Sequence, residues 1–181
     1  MINLKNITNE TYKKELELML KDHYRELYGE NWPVKNFYQR MRDKRSFSTH
    51  LTSEDMRELF IHPVYGTVAY GIFSDEELIG MVLLDIIKST KKNLEVETYG
   101  QLYQLYIKKE YREFIKDNDF MDTLKDFIDD YFKAKGMGEV ITKIPDELAY
   151  LIECSKYLGF TKTKTTDLDS GISQTLWEKK I

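Results

Sequence analysis

The sequence predicts a mixed α/β fold in a single domain, and three stretches carry that prediction. Gln101 to Ile107 alternates polar or small positions with Leu102, Leu105 and Ile107 and is rich in tyrosine, the pattern of a strand. Directly after it, Phe120, Met121, Leu124, Phe127, Ile128, Tyr131 and Phe132 recur at three- and four-residue spacing, which lines one face of a helix. Upstream, VYGTVAYGIF and ELIGMVLLDII are β-rich runs on either side of SDEE, a hairpin loop by composition.

The remaining elements follow in order. Residues 2–7 read as a short first strand. Thr8 is an N-cap candidate for a helix carrying Tyr12, Leu16, Met19, Leu20, His23, Tyr24 and Leu27 on one stripe and ending at Gly29. His23 on that stripe reads as a packing residue. Two helical pieces are expected next, one with Pro33 in an early position and Val34, Phe37, Tyr38 and Met41 on one side. The other is capped by Thr52 or Ser53 and carries Met56, Leu59 and Phe60; the basic run Arg40, Arg42, Lys44, Arg45 between them reads as a solvated face. In the second hairpin strand Gly80 marks a bulge or a close backbone approach. KSTKKN reads as a turn, and residues 94–107 as a long or bent strand interrupted near Gly100. The central helix is expected to take Asn118 as N-cap and to stop at Gly136. EVITKI is a short strand ended by Pro145. Asp146 is expected to cap a helix that Gly159 stops, and FTKTKTTDL and ISQTLWEKK are two last strands around an Asp-Ser-Gly turn.

At 181 residues the chain is long enough for one real core. A formal charge of −4 without a long Lys/Arg block argues against a general nucleic-acid binder. One cysteine, Cys154, excludes an internal disulfide and fits a reducing compartment; it reads as a small buried residue rather than a nucleophile. His23, His50 and His62 are scattered without metal-ligand spacing, so no structural zinc is expected. With no signal-type apolar run and no segment near the roughly 18 apolar residues of a membrane span, the expected location is the cytoplasm, with no membrane partner.

A strand that feeds a helix N-terminus is a ready anion site, because unpaired N–H groups and the positive end of the helix dipole face the connecting loop. LYIKKEYR (105–112), FKAKG (132–136) and SKYLGF (155–160) give that site a context. They resemble, in order and near spacing, the end of strand four with its pyrophosphate loop, the end of the following helix, and the late YxKxGF signature of the GNAT family of acyl-CoA-dependent N-acyltransferases. The resemblance runs from about Val68 to the C-terminus. It implies one GNAT-like domain over residues 1–181, with a central mixed, mostly antiparallel sheet of six to seven strands flanked by about four helices. It also implies an acetyl-CoA donor and direct attack by an amine of a small molecule or peptide, and it leaves a homodimer open.

Carried over residue by residue, the backbone of Leu105, Tyr106 and Ile107 would hold the acyl-pantetheine arm. Arg112, Lys116 and the amides after Asn118 would meet the phosphates. Arg112 matches the first position of the family's Q/R-x-x-G-x-G/A loop, but its glycine positions hold Ile115 and Asp117, or in a shifted alignment Asp119 and Met121. Glu113, Asp117 and Asp119 bring negative charge to that loop. Glu95 or Glu97 would be the base, with Glu97 the nominated one. The family's tyrosine acid is replaced by Ser155, the candidate at that position; Tyr157 lies about 200° around the helix from it. Tyr99, Tyr103 and Tyr106 read either as cross-strand packing or as an acceptor wall. The residues thus allow an N-acyltransferase, or a GNAT-fold module that binds a protein partner or small ligand without catalysis.

Overall fold

The computed structural model describes residues 2–7, 10–28, 68–90, 96–167 and 173–181. The helical pieces, the basic run and the strand start expected within 29–67, the cap at Thr8, Glu95 and the Asp-Ser-Gly turn lie outside them. The chain opens with β1 (Ile2–Asn6), a 3-10 turn and α1 (Lys13–Tyr28). β2 (Val68–Ser74), β3 (Glu77–Thr90) and β4 (Val96–Ile107) form the expected meander. A 3-10 segment (Lys109–Lys116), α2 (Asn118–Ala134), β5 (Glu139–Pro145), α3 (Ala149–Tyr157), β6 (Thr161–Asp167) and β7 (Ser173–Lys180) complete it. The strands join in one seven-stranded sheet of order β1-β2-β3-β4-β5-β7-β6. Among the described strands only β4 and β5 pair in parallel, as a helical crossover between them requires.

The sheet is covered on both faces. Val82, Leu84, Leu102, Leu105 and Ile107 share a core with Phe120, Met121, Leu124, Ile128 and Phe132 of α2 and with Leu151 and Cys154 of α3. Met81 and Leu83 pair with Tyr106 and Gln104 and so face the other way; α1 packs on that side, with Leu16 and Met19 buried. The helical stripe expected in α1 thus faces inward at Leu16, Met19 and His23.

Several expected boundaries move. Lys88, Ser89 and Thr90 continue β3 and pair with Thr98, Glu97 and Val96, because the register that begins at the hairpin carries on without interruption. β4 runs straight through Gly100. A Cβ there would come within 2.5 Å of the Phe132 ring, so the glycine admits α2 rather than bending the strand. The irregularity falls at Tyr103 instead: Leu83 pairs with Gln104 and Leu84 with Leu102, leaving Tyr103 as an extra residue. The cap of α2 is Asp117, not Asn118; its carboxylate accepts from Asp119 N at 2.9 Å and Phe120 N at 3.4 Å. Asp146 does not cap α3, whose N-cap is Leu148. It accepts the Thr175 hydroxyl at 2.7 Å and so ties the end of β5 to β7. The stops at Gly136 (φ 72°) and Gly159 (φ 88°) are left-handed glycines, as expected.

Candidate active site

The bulge at Tyr103 coincides with the end of the parallel pairing. β4 meets β5 only at Gly100, Gln101 and Leu102. From Tyr103 to Ile107 the strand keeps β3 on one side and, among the described residues, has no strand on the other. Main-chain groups of alternate residues point to opposite edges. Lys108 N donates to Ile79 O at 2.9 Å, so Tyr106 and Lys108 address β3 while Leu105 and Ile107 address the unpaired edge. Leu105, Tyr106 and Ile107 are all buried, so their side chains anchor that edge in the core.

Arg112 closes the top of this edge. Its Nε donates to Ile107 O at 3.1 Å and its outer nitrogen to Glu26 of α1 at 2.6 Å. Its guanidinium lies 3.8 Å from the ring centroid of Tyr150 in the first turn of α3. α3 follows β5 and packs on the 3-10 segment that follows β4, so this stack spans the gap between the two strands. Burial is the largest single influence on the Arg112 pKa and lowers it, but the Glu26 hydrogen bond together with the charges of Tyr150, Glu26 and Tyr106 turns the net direction up. Lys109 reaches the same Glu26 carboxylate at 3.4 Å. Tyr106, 2% exposed, packs its ring edge-on to His23 at 5.8 Å, so it is a packed residue of the α1 face.

The other nominated residues are not gathered here. Lys116 is exposed and paired with Glu113 at 2.8 Å. Asn118 is exposed in the first turn of α2, and the two amides that follow it are held by Asp117. A groove of about 380 Å³ at this helix end takes in Phe114, Asp117, Asp119 and Phe120, so two carboxylates line it. Glu97 stands eight residues before Leu105, roughly 26 Å away along an extended strand. Its carboxylate accepts the Tyr99 hydroxyl, and this bond, with a smaller share from burial, raises the Tyr99 phenol to about 12. Ser155 is buried in α3, and its neighbour Tyr157 is exposed and donates to Asp122 at 3.0 Å.

Sequence reasoning missed Tyr150 and Glu26, which belong to helices far from Arg112 in the chain. Only the three-dimensional path of α1 and α3 brings them to it. Cys154 is buried, and desolvation pushes its thiol up to about 12. It is therefore expected to resist a thiol reagent at pH 8 in the native protein and to react fully after denaturation; fast native labelling would contradict this burial.

No family model matches the chain, and no curated protein matches it in sequence. Solved structures do match in shape. The PaiA N-acetyltransferase of Thermoplasma acidophilum, crystallised with coenzyme A, superposes with a TM-score of 0.63 at 20% identity, covering 100% of this chain and 99% of that one. NAA60 of Arabidopsis thaliana, in complex with a bisubstrate analogue, gives 0.65 at 14% identity over 100% and 99%. A variant of the SpeG spermidine N-acetyltransferase of Vibrio cholerae gives 0.60 at 10% identity over 99% and 93%. The described residues have the fold of the GNAT N-acetyltransferases.

Proposed function

We propose that this GNAT-fold protein is an acyl-CoA-dependent N-acyltransferase that transfers acetyl from acetyl-CoA to an amine of a small molecule or peptide by direct attack. The observation that carries the reading is the break in β4–β5 pairing at the Tyr103 bulge. It leaves the main chain of Leu105 and the amide of Ile107, whose carbonyl already accepts from Arg112, without a strand partner among the described residues, where an acyl-pantetheine arm would be held as an added strand. Such an arm fixes the thioester carbon against a rigid edge, so that orientation supplies much of the rate. The structural neighbours crystallised with coenzyme A or acting on spermidine support this choice of donor and acceptor class.

The phosphates would be met by Lys116 and Arg112, each exchanging a carboxylate of the chain for a phosphate oxygen. The amides at the start of α2 contribute only if Asp117 releases them. Glu97 is too far along β4 to take a proton from an amine at Leu105, so the base is a group nearer that edge or water. A thiol-release assay with acetyl-CoA and a panel of alkylamines, polyamines and peptides tests the reading; no acceptor-dependent release from a folded sample would contradict it.

The self-capped helix end favours one second reading, a non-catalytic module that binds a partner or small ligand. The two separate on one substitution. Asp117→Asn keeps a capping oxygen but removes the charge facing a pyrophosphate. On the acyltransferase reading it tightens coenzyme A about threefold to tenfold, measured by titration at low salt. An unchanged affinity would place the phosphates elsewhere.

A further inference from the structure

The side-chain amide nitrogen of Gln104 is buried and, among the described residues, has no hydrogen-bond partner; the residue is 8% exposed. A buried donor left unpaired is kept at a loss in stability unless a ligand takes the bond. The bulge at Tyr103 decides where this donor faces. Residues two apart share a face of a regular strand, so Gln104 would follow Leu102 into the core under α2. The extra residue reverses this. Leu105 follows Leu102 into that core, while Gln104 pairs with Leu83 and turns to the face of α1, beside Tyr106. The same bulge ends the β4–β5 pairing, so the orphaned amide stands where the gap begins. The orphaned atoms of Asn3 and Trp177 belong to β1 and β7, which do not border the gap, and that of Tyr150 belongs to a ring stacked on Arg112.

A thioester held on the β4 edge as an added strand carries its carbonyl near the plane of the sheet, where ladder carbonyls lie. An amine attacks a carbonyl carbon from above or below the carbonyl plane, hence from one face of the sheet. On one face Leu105 and Ile107 are packed with Phe120 and Leu124 of α2 and Leu151 of α3. The other face carries Gln104. Resting on the acyltransferase reading above, we propose that Gln104 is a specificity-determining residue that donates its side-chain N–H to an oxygen of the acceptor. The acceptor is accordingly an α-amino carbonyl compound, such as the amino terminus of a peptide or an amino-acid amide, rather than an alkyl polyamine. The first carbonyl of a peptide sits on the carbon next to the one that bears the amine. It accepts the N–H and leaves the nitrogen free to attack. The second nitrogen of a polyamine is an ammonium at neutral pH, offers only donors, and leaves the Gln104 N–H unpaired. A site built to make such a bond rejects an acceptor that cannot, because the cost of the unpaired buried group falls on the wrong substrate.

Gln104→Met keeps the length of the side chain and removes the amide. With acetyl-CoA and alanylalanine amide, kcat/KM for the acceptor is expected to fall about 10-fold to 100-fold, with KM for acetyl-CoA little changed. With n-butylamine or spermidine the variant stays within about twofold of the wild type, since neither made the bond. The thermal midpoint stays level or rises, because an orphaned donor is gone. An equal fall on the peptide and on n-butylamine, or an unchanged rate on the peptide, would overturn the assignment while leaving the acyltransferase reading intact. A wild type that releases no thiol with any acceptor would overturn both. Should the variant fold poorly, the wild type alone decides. Compared per unprotonated amine, its kcat/KM is expected to be at least about tenfold higher on alanylalanine amide than on n-butylamine or spermidine. Equal or reversed preference would overturn the proposal.

Discussion

Asp129→Ala is expected to lower the stability of the fold by about 3–5 kcal/mol, read as a lower urea midpoint at unchanged slope. Asp129 of α2 binds Lys179 of β7, and the two residues are 7% and 8% exposed. This ion pair fastens the helix to the C-terminal half of the sheet. Removing the carboxylate leaves a buried ammonium beside the Phe160 ring and under the like charges of Lys125 and Lys133. Burial already pushes the Lys179 pKa down against the pull of Asp129, which marks how dry the site is. Lys125, the second cation on Asp129 at 3.2 Å, is more exposed and cannot compensate. The double variant Asp129→Leu with Lys179→Met is expected to recover most of the loss, because both charges leave together. Equal losses in the single and double variants would show that packing, not charge, is lost.

Gly80→Val is expected to cost about 3 kcal/mol and to disturb the edge proposed for the acyl arm. A Cβ at this position would run into the carbonyl oxygen of Tyr106, a backbone atom that has no rotamer to move into. Gly80 pairs with Ile107, so the strain would enter β4 at the residues whose main chain faces the gap. The expected signature is a joint loss of stability and acetyl-CoA affinity. A control at Gly138, where an added Cβ meets nothing within 4 Å, should leave both nearly unchanged. Retained affinity in a destabilised Gly80→Val protein would detach the β4 edge from cofactor binding.

Gly80 also shows which part of the fold could be read directly. A glycine in an apolar β run signals a bulge or a close backbone, and here both occur. Tyr106 O lies against it, and the β2–β3 register shifts between Ile72 and Phe73, which face Gly80 and Leu78. The spacing of Phe120, Met121, Leu124, Ile128 and Phe132 likewise predicted the buried face of α2, since a helix's core face is written in local periodicity.

The site was less legible because its contacts are not local. Asp117 and Asn118 are equally good caps by residue type, and only the chain's entry angle selects the aspartate. Arg112 matches a phosphate ligand by motif position, yet it reaches Glu26, 86 residues earlier, and stacks on Tyr150 of α3. The 3-10 segment read as a charged loop because its inward residues, Tyr111, Phe114 and Ile115, are outnumbered by charges. They pack on the core with Phe114 5.8 Å from Phe120. Residues 94–107 read as a long or bent strand interrupted near Gly100, and it is the continuity through that glycine that sets Glu97 and Leu105 toward opposite ends of one strand.

The most direct test is calorimetric titration of the purified protein with acetyl-CoA and with free coenzyme A, repeated on Arg112→Ala. An acyltransferase that holds its donor on the β4 edge predicts micromolar binding, about −8 kcal/mol, weakened in the variant. No heat up to millimolar ligand, from a sample shown to be folded, would contradict it and turn the search toward a partner for a non-catalytic module.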